Sequence, residues 1–242
     1  MGGGAARFII GVIGNVTGLL LVLSPTMTFK RIIRNKSTEN FSGIPYALTL
    51  LSCLLSAWYG LPFVTPHNLL LLITSGVGAI IESIYIVAFI IFAPRKEKCK
   101  ILALLACVVT LFGVAAIVSI FVFEGPSRKL FCGFAYTIVC VIMYASPLSI
   151  MRMVIKTKSV EFMPFFLSLS VFLSGTCWFI YGILGKDPFI TVSSGLGSSL
   201  GAIQLILYAI YRERKGDPEK ADANPWLETE LGKHHPEKQS PV

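Results

Sequence analysis

The sequence predicts an all-α integral membrane protein with seven transmembrane helices, and three observations carry that prediction. Hydrophobic residues fill 54% of the 242 positions and charged residues only 14%, against roughly 25% charged in an average soluble domain. The charges are confined to short clusters, so that 8–29, 40–81, 101–123, 130–151, 162–185 and 188–211 contain no Asp, Glu, Lys or Arg. The second half of the chain also repeats the motifs of the first, 119 to 122 residues later. A water-soluble fold of this size cannot hide so much apolar surface, which argues against a cytosolic enzyme or a nucleic-acid binder despite the net charge of +8.

Most of the charge-free runs have the ~20 residues that an α-helix needs to cross about 30 Å of hydrocarbon. The run 40–81 is twice that length and divides at Pro62-Phe63-Val64-Thr65-Pro66-His67-Asn68, where two prolines flank a turn. Helices are therefore expected near 8–29, 45–63, 69–93, 101–123, 130–152, 164–185 and 188–211. The N-terminal residues Met1–Ala6 hold no charge, so the first helix reads as a retained signal-anchor rather than a cleaved signal peptide.

Seven spans put the termini on opposite sides, and Lys and Arg decide which is which. Of the 21 basic residues, only Arg7, Arg128, Lys129 and Lys186 fall on one side; the other 17 lie in the loops after the first, third and fifth helices and in the tail. The N-terminus is expected outside and the C-terminus in the cytosol. Residues 212–242 turn to Pro, Glu, Lys and Asp, the composition of a disordered cytosolic tail. The six cysteines form no CxxC pair, and no metal or cofactor site is expected.

The repeat is specific. Ser24-Pro25 returns as Ser146-Pro147, Lys36-Ser37-x-Glu39 as Lys158-Ser159-x-Glu161, and Pro45 as Pro164. Tyr59-Gly60 returns as Tyr181-Gly182, and Ser75-Gly76-x-Gly78 as Ser194-Gly195-x-Gly197. Each unit, 8–93 and 130–211, holds three helices. An odd number would invert a copy that followed directly, so the fourth helix, 101–123, restores the orientation as an inversion linker. The architecture is thus two parallel three-helix bundles in a 3+1+3 order. Repeats of this kind are typical of transporters, with the substrate between the units near the midplane.

The motifs Ser24-Pro25, Lys36-Ser37-Thr38-Glu39, Pro45-Tyr46 and Ala57-Trp58-Tyr59-Gly60-Leu61-Pro62 resemble those of the plant SWEET sugar transporters. So do Met143-Tyr144-Ala145-Ser146-Pro147-Leu148-Ser149-Ile150-Met151-Arg152 and Lys158-Ser159-Val160-Glu161-Phe162-Met163-Pro164. The likeness covers roughly 8–211 and is greatest to the glucose-transporting clade. It implies a facilitative uniporter that moves glucose or similar monosaccharides by alternating access, in the plasma membrane or an endomembrane, and a homo-oligomer.

The resemblance also implies a set of site residues. Pro25, Pro45, Pro147 and Pro164 match a proline tetrad at an intracellular gate, where interior prolines supply hinges; read alone, each is equally a simple kink or helix start. Trp178, with Ser56 as its repeat counterpart, matches the sugar-stacking position; its bland alternative is a packing or lipid-facing tryptophan. Ser75 and Ser194 stand where the family has a pair of sugar-binding asparagines, and a hydroxyl offers fewer and shorter-reaching hydrogen bonds than an amide. Met143 is expected to narrow the pocket toward monosaccharides. Tyr59 and Asp187 match an extracellular gate pair, although Asp187-Pro188 is also an ordinary helix opening. Gly60, Gly133 and Gly182 match close helix contacts.

A proton-coupled PQ-loop-type transporter of amino acids or other small solutes is the rival reading. Coupled transport calls for ionisable groups within the membrane, and only Glu82 lies inside a predicted helix, where a structural role is expected. A seven-helix retinal protein would need a lysine in the last helix, and 188–211 has none.

Overall fold

The computed structural model describes residues 2–39, 41–160 and 163–212. Glu161 of the repeated Lys-Ser-x-Glu motif and nearly all of the expected tail lie outside the described residues. Among those described, the chain forms nine α-helices and no strand: α1 (Gly2–Leu23), α2 (Thr26–Asn35), α3 (Ile44–Tyr59), α4 (Leu69–Phe92), α5 (Arg95–Phe121), α6 (Gly125–Met143), α7 (Ala145–Thr157), α8 (Phe165–Leu184) and α9 (Pro188–Arg212). The pairs α1–α2 and α6–α7 each form one bent span, which leaves seven. Six are long and apolar enough to cross a membrane. The remaining one, α3, has 16 residues, about 24 Å of helix, and a turn over Leu61–Thr65 extends it.

The two bends fall at Pro25 and Pro147, the prolines expected to kink these spans, and divide each span into two helices. Proline has no N–H to donate, so Pro25 leaves the Leu21 carbonyl to Ser24 in a tighter turn, 3.1 Å. Pro147 likewise removes the donor that would reach Met143, and the chain turns at Tyr144. Beyond each bend the helix runs past the basic residues that were expected to end it, to Asn35 and Thr157. Lys and Arg are good helix formers whose stems lie along apolar surface. They let α2 bury Phe29 and Ile32 while Lys30, Arg31 and Arg34 stay exposed. For the same reason α5 starts at Arg95 rather than 101, with a Glu97–Lys100 pair at 2.7 Å in its first turns.

In each three-helix unit the third helix lies between the first and second: α4 between α1 and α3, and α9 between α6 and α8. The units meet through α1 on α8 and α3 on α6, while α5 packs chiefly on α3. The indole of Trp58 donates to Ser119 Oγ at 2.9 Å, tying α5 to α3. Repeat symmetry reaches the backbone. Lys36 and Lys158 cap their helices in the left-handed conformation, φ 49° and 55°, and His67 and Lys186, one residue before α4 and α9 begin to cap, do the same at 71° and 51°.

Glycine sets the separation of neighbouring helices. A Cβ at Gly182 would stand 2.7 Å from the backbone nitrogen of Thr191, and one at Gly60 would stand 2.9 Å from that of Leu72. At Gly133 a methyl would run into the Phe189 ring. At the basic end of the first unit, Arg31 grips Glu39 through Nε and Nη2 at 3.1 and 2.6 Å, and Asn35 adds a bond at 2.7 Å. The Arg31 and Asn35 bonds hold the Glu39 carboxyl below the usual carboxylate range.

Candidate functional site

Between the two units lies a cavity of about 690 Å³, within the range of roughly 300–1,000 Å³ found for small-molecule sites. It reaches from Trp178 to Pro45, Pro147 and Pro164 at the basic end, and Met143 and Ser194 line it between. Six of the residues expected at a site are thus brought together.

The local sequence explains where Trp178 sits. Its indole lies over α1, where a Cβ at Gly14 would be 3.3 Å from the indole nitrogen. On its other flank the Tyr181 ring meets it edge-on, centroids 5.1 Å apart. Trp178 is 8% exposed, and that remnant faces the cavity. The part of the indole that lines the cavity offers a flat apolar surface on which the CH face of a pyranose can stack.

The serines divide. Ser194 is half-buried on the cavity wall, whereas Ser75, its repeat counterpart, is buried and does not line it. Ser56 also stays off the wall, since its hydroxyl donates 2.7 Å back to the Ser52 carbonyl of its own helix. Pro25 bends α1–α2 without reaching the cavity.

Three wall residues escaped the sequence reading. Tyr144 stands at the α6–α7 bend and donates to the Ser193 carbonyl at 2.5 Å. Ser174 lies one turn before Trp178 on α8. Gln204, buried on α9, also lines the cavity. The one sequence signal was that each is a polar side chain on an apolar helix.

At the end away from the prolines the cavity is shut. Tyr59 OH donates to both carboxylate oxygens of Asp187, at 2.9 and 2.8 Å, and both side chains are buried. Asp187 also caps α9, accepting from the backbone N–H groups of Phe189 and Ile190 at 3.2 and 3.3 Å. The two readings of this residue hold together: it opens a helix and it joins the two units. Stacked and edge-on contacts of Tyr59 with Tyr136 and Phe189 seal the same level.

Comparison with known proteins decides the family. The family model described as "Sugar efflux transporter for intercellular exchange" matches residues 8–97 and again 129–216, once for each unit. The chain belongs to this family. It is 60% identical over 218 residues to the bidirectional sugar transporter SWEET1 of Arabidopsis thaliana, covering 90% of this chain and 88% of the relative. Identity to the bidirectional sugar transporter SWEET1a of Oryza sativa subsp. japonica is 63% over 211 residues, covering 87% and 77%. The fold matches the 3.7 Å structure of a eukaryotic SWEET transporter with a TM-score of 0.84 at 46% identity, over 86% of this chain and 98% of the other. The family is one of transporters, not enzymes.

Proposed function

We propose that the protein is a facilitative uniporter that carries glucose or similar monosaccharides down their gradient by alternating access. The observation that carries this reading is a cavity that holds the Trp178 indole, ends at three prolines, and is shut at the other end by Tyr59 and Asp187. The geometry corresponds to one half of a transport cycle, with the outer gate closed and the substrate path facing the basic end. The other half parts Tyr59 from Asp187 and brings Pro45, Pro147 and Pro164 together, with Pro25 and Pro147 as the hinges.

In this reading Trp178 stacks on the sugar ring, Ser194 and Gln204 offer hydrogen bonds, and Met143 limits the width of the site. Ser75 and Ser56 stand in the wall's second layer. The units 8–93 and 130–211 move against each other, joined by 101–123. A dissociation constant near millimolar corresponds to about −4 kcal/mol, which one stacked ring and a few hydrogen bonds supply. The likeness to proteins named bidirectional sugar transporters supports sugar over an amino-acid cargo. So does the placement of Glu82, which is buried on α4 and does not line the cavity. The excess of Lys and Arg at one end supports an N-terminus outside and a cytosolic C-terminus; the plasma membrane as site and a homo-oligomer as the assembled form are what the family resemblance implies.

The test is labelled glucose uptake in cells that lack hexose transporters, comparing the wild type with Trp178→Ala at equal surface expression. Loss of saturable uptake in the variant is the expected result. Uptake near the wild-type level would remove Trp178 from the path.

A further inference from the structure

Arg7 and Lys129 are two of the four basic residues at the end away from the prolines, and they are repeat counterparts, 122 positions apart. Tyr59 and Tyr181 share that spacing, and Asn68 and Asp187 correspond at 119. The structure gathers all six. In the second unit, Lys129 Nζ lies 3.9 Å from Asp187 Oδ2. In the first, Arg7 Nη2 donates to Asn68 Oδ1 at 2.6 Å. Each base therefore holds the helix-opening polar residue of its own unit. The tyrosines cross over instead: Tyr59 donates to Asp187 of the second unit, and Tyr181 to the His67 carbonyl of the first, at 3.3 Å.

Asn68 joins the two halves, donating from Nδ2 to Asp187 Oδ2 at 3.1 Å. Its amide is placed between a guanidinium, which only donates, and a carboxylate, which only accepts. That pairing fixes the amide's direction, because the flipped amide would set donor against donor and acceptor against acceptor. Arg7 is itself pinned. Its guanidinium lies 4.3 Å from the Tyr181 ring centroid and over Gly185, where a Cβ would touch it. Its Nε is buried without a hydrogen-bond partner, so Nη2 and the stacking contact hold it in place.

We propose that Arg7 and Asn68 are positioning residues for the outer gate: they form the first unit's half of a repeat-symmetric latch and aim the Asn68 amide at Asp187. The latch closes only when α1, α8 and the openings of α4 and α9 meet, so it reads the approach of both units. The inference rests on the alternating-access reading but not on the sugar.

The experiment labels a Ser194→Cys variant in intact cells with a membrane-impermeant thiol reagent, with the Ser194 parent as background. Ser194 lies on the cavity wall beneath the gate, so its labelling from outside reports gate opening and needs no substrate. Arg7→Ala and Asn68→Ala, each added to Ser194→Cys, are expected to speed labelling roughly five- to tenfold, as befits loss of a charge-assisted hydrogen bond. Arg7→Lys, which keeps the charge, should fall between Arg7→Ala and Arg7. Labelling at the unmodified rate in both alanine variants would overturn the proposal, and so would equal rates for Arg7→Lys and Arg7→Ala. Should Arg7→Ala fail to reach the surface, Arg7→Lys and Asn68→Ala decide by the same criterion. Absence of glucose uptake by the Ser194 parent alongside faster labelling of the alanine variants would count against the sugar and leave the latch standing.

Discussion

The hydroxyl of Tyr59 reaches both oxygens of the Asp187 carboxylate across 128 residues of sequence, at 2.9 and 2.8 Å. One bond therefore connects the end of α3 in the first unit to the start of α9 in the second. Hydrogen bonds to charged groups contribute about 1.5–3 kcal/mol, enough to bias a gate roughly tenfold or more toward closed. Tyr59→Phe removes the donor and keeps the ring stacked on Tyr136. It is expected to lower uptake at unchanged surface level, and to do so less than Asp187→Ala, which also strips the cap from α9.

The close approach of α8 and α9 depends on Gly182. In Gly182→Ala the new methyl meets backbone atoms of Thr191, which cannot move aside as a side-chain tip can. Overpacking of this kind costs about 1–3 kcal/mol. The expected result is a lower melting temperature of the detergent-solubilised protein and less protein at the surface. Gly76→Ala is the control, because nothing lies within 4 Å of the added carbon there, and its stability should match or exceed that of the wild type.

The two serines of the repeat should respond unequally to an asparagine. Ser194 stands on the cavity wall and Ser75 does not. Ser194→Asn adds an amide where a sugar would sit and is expected to change the apparent KM for glucose several-fold. Ser75→Asn must fit a larger polar group into a buried position and should act on surface level more than on KM. Uptake kinetics normalised to surface protein separate the two.

Gln204 tests the wall residues that escaped the sequence reading. Gln204→Leu keeps the bulk and removes the amide, so uptake should show a raised KM with stability unchanged. A loss of folded protein instead would assign Gln204 to packing.

Much of the fold was legible because charge is expensive in a bilayer: runs free of Asp, Glu, Lys and Arg mark the spans directly. The same rule misplaced the helix ends. It treated Lys30 and Arg152 as stops, whereas α2 and α7 carry their basic residues on exposed faces and continue. The prolines at 25 and 147 were readable as kinks, but the turn at Tyr144 was not, because it arises from the missing Pro147 donor three residues on. Trp178, Met143 and Ser194, all expected at a site, line the cavity. Ser56 shows the limit, since a serine in a helix either faces a partner or bonds its own backbone, and periodicity cannot tell which. Arg7 and Lys129 entered the sequence reading only as topology signals. Their correspondence with Asn68 and Asp187 needed the helix ends in place.

The most direct test of the transport claim is labelled glucose flux in cells without their own hexose transporters, in both directions, with and without a protonophore. Saturable uptake and efflux, both indifferent to the protonophore, are the expected result for a uniporter. Flux that collapses with the proton gradient, or no flux from protein fully present at the surface, would contradict it.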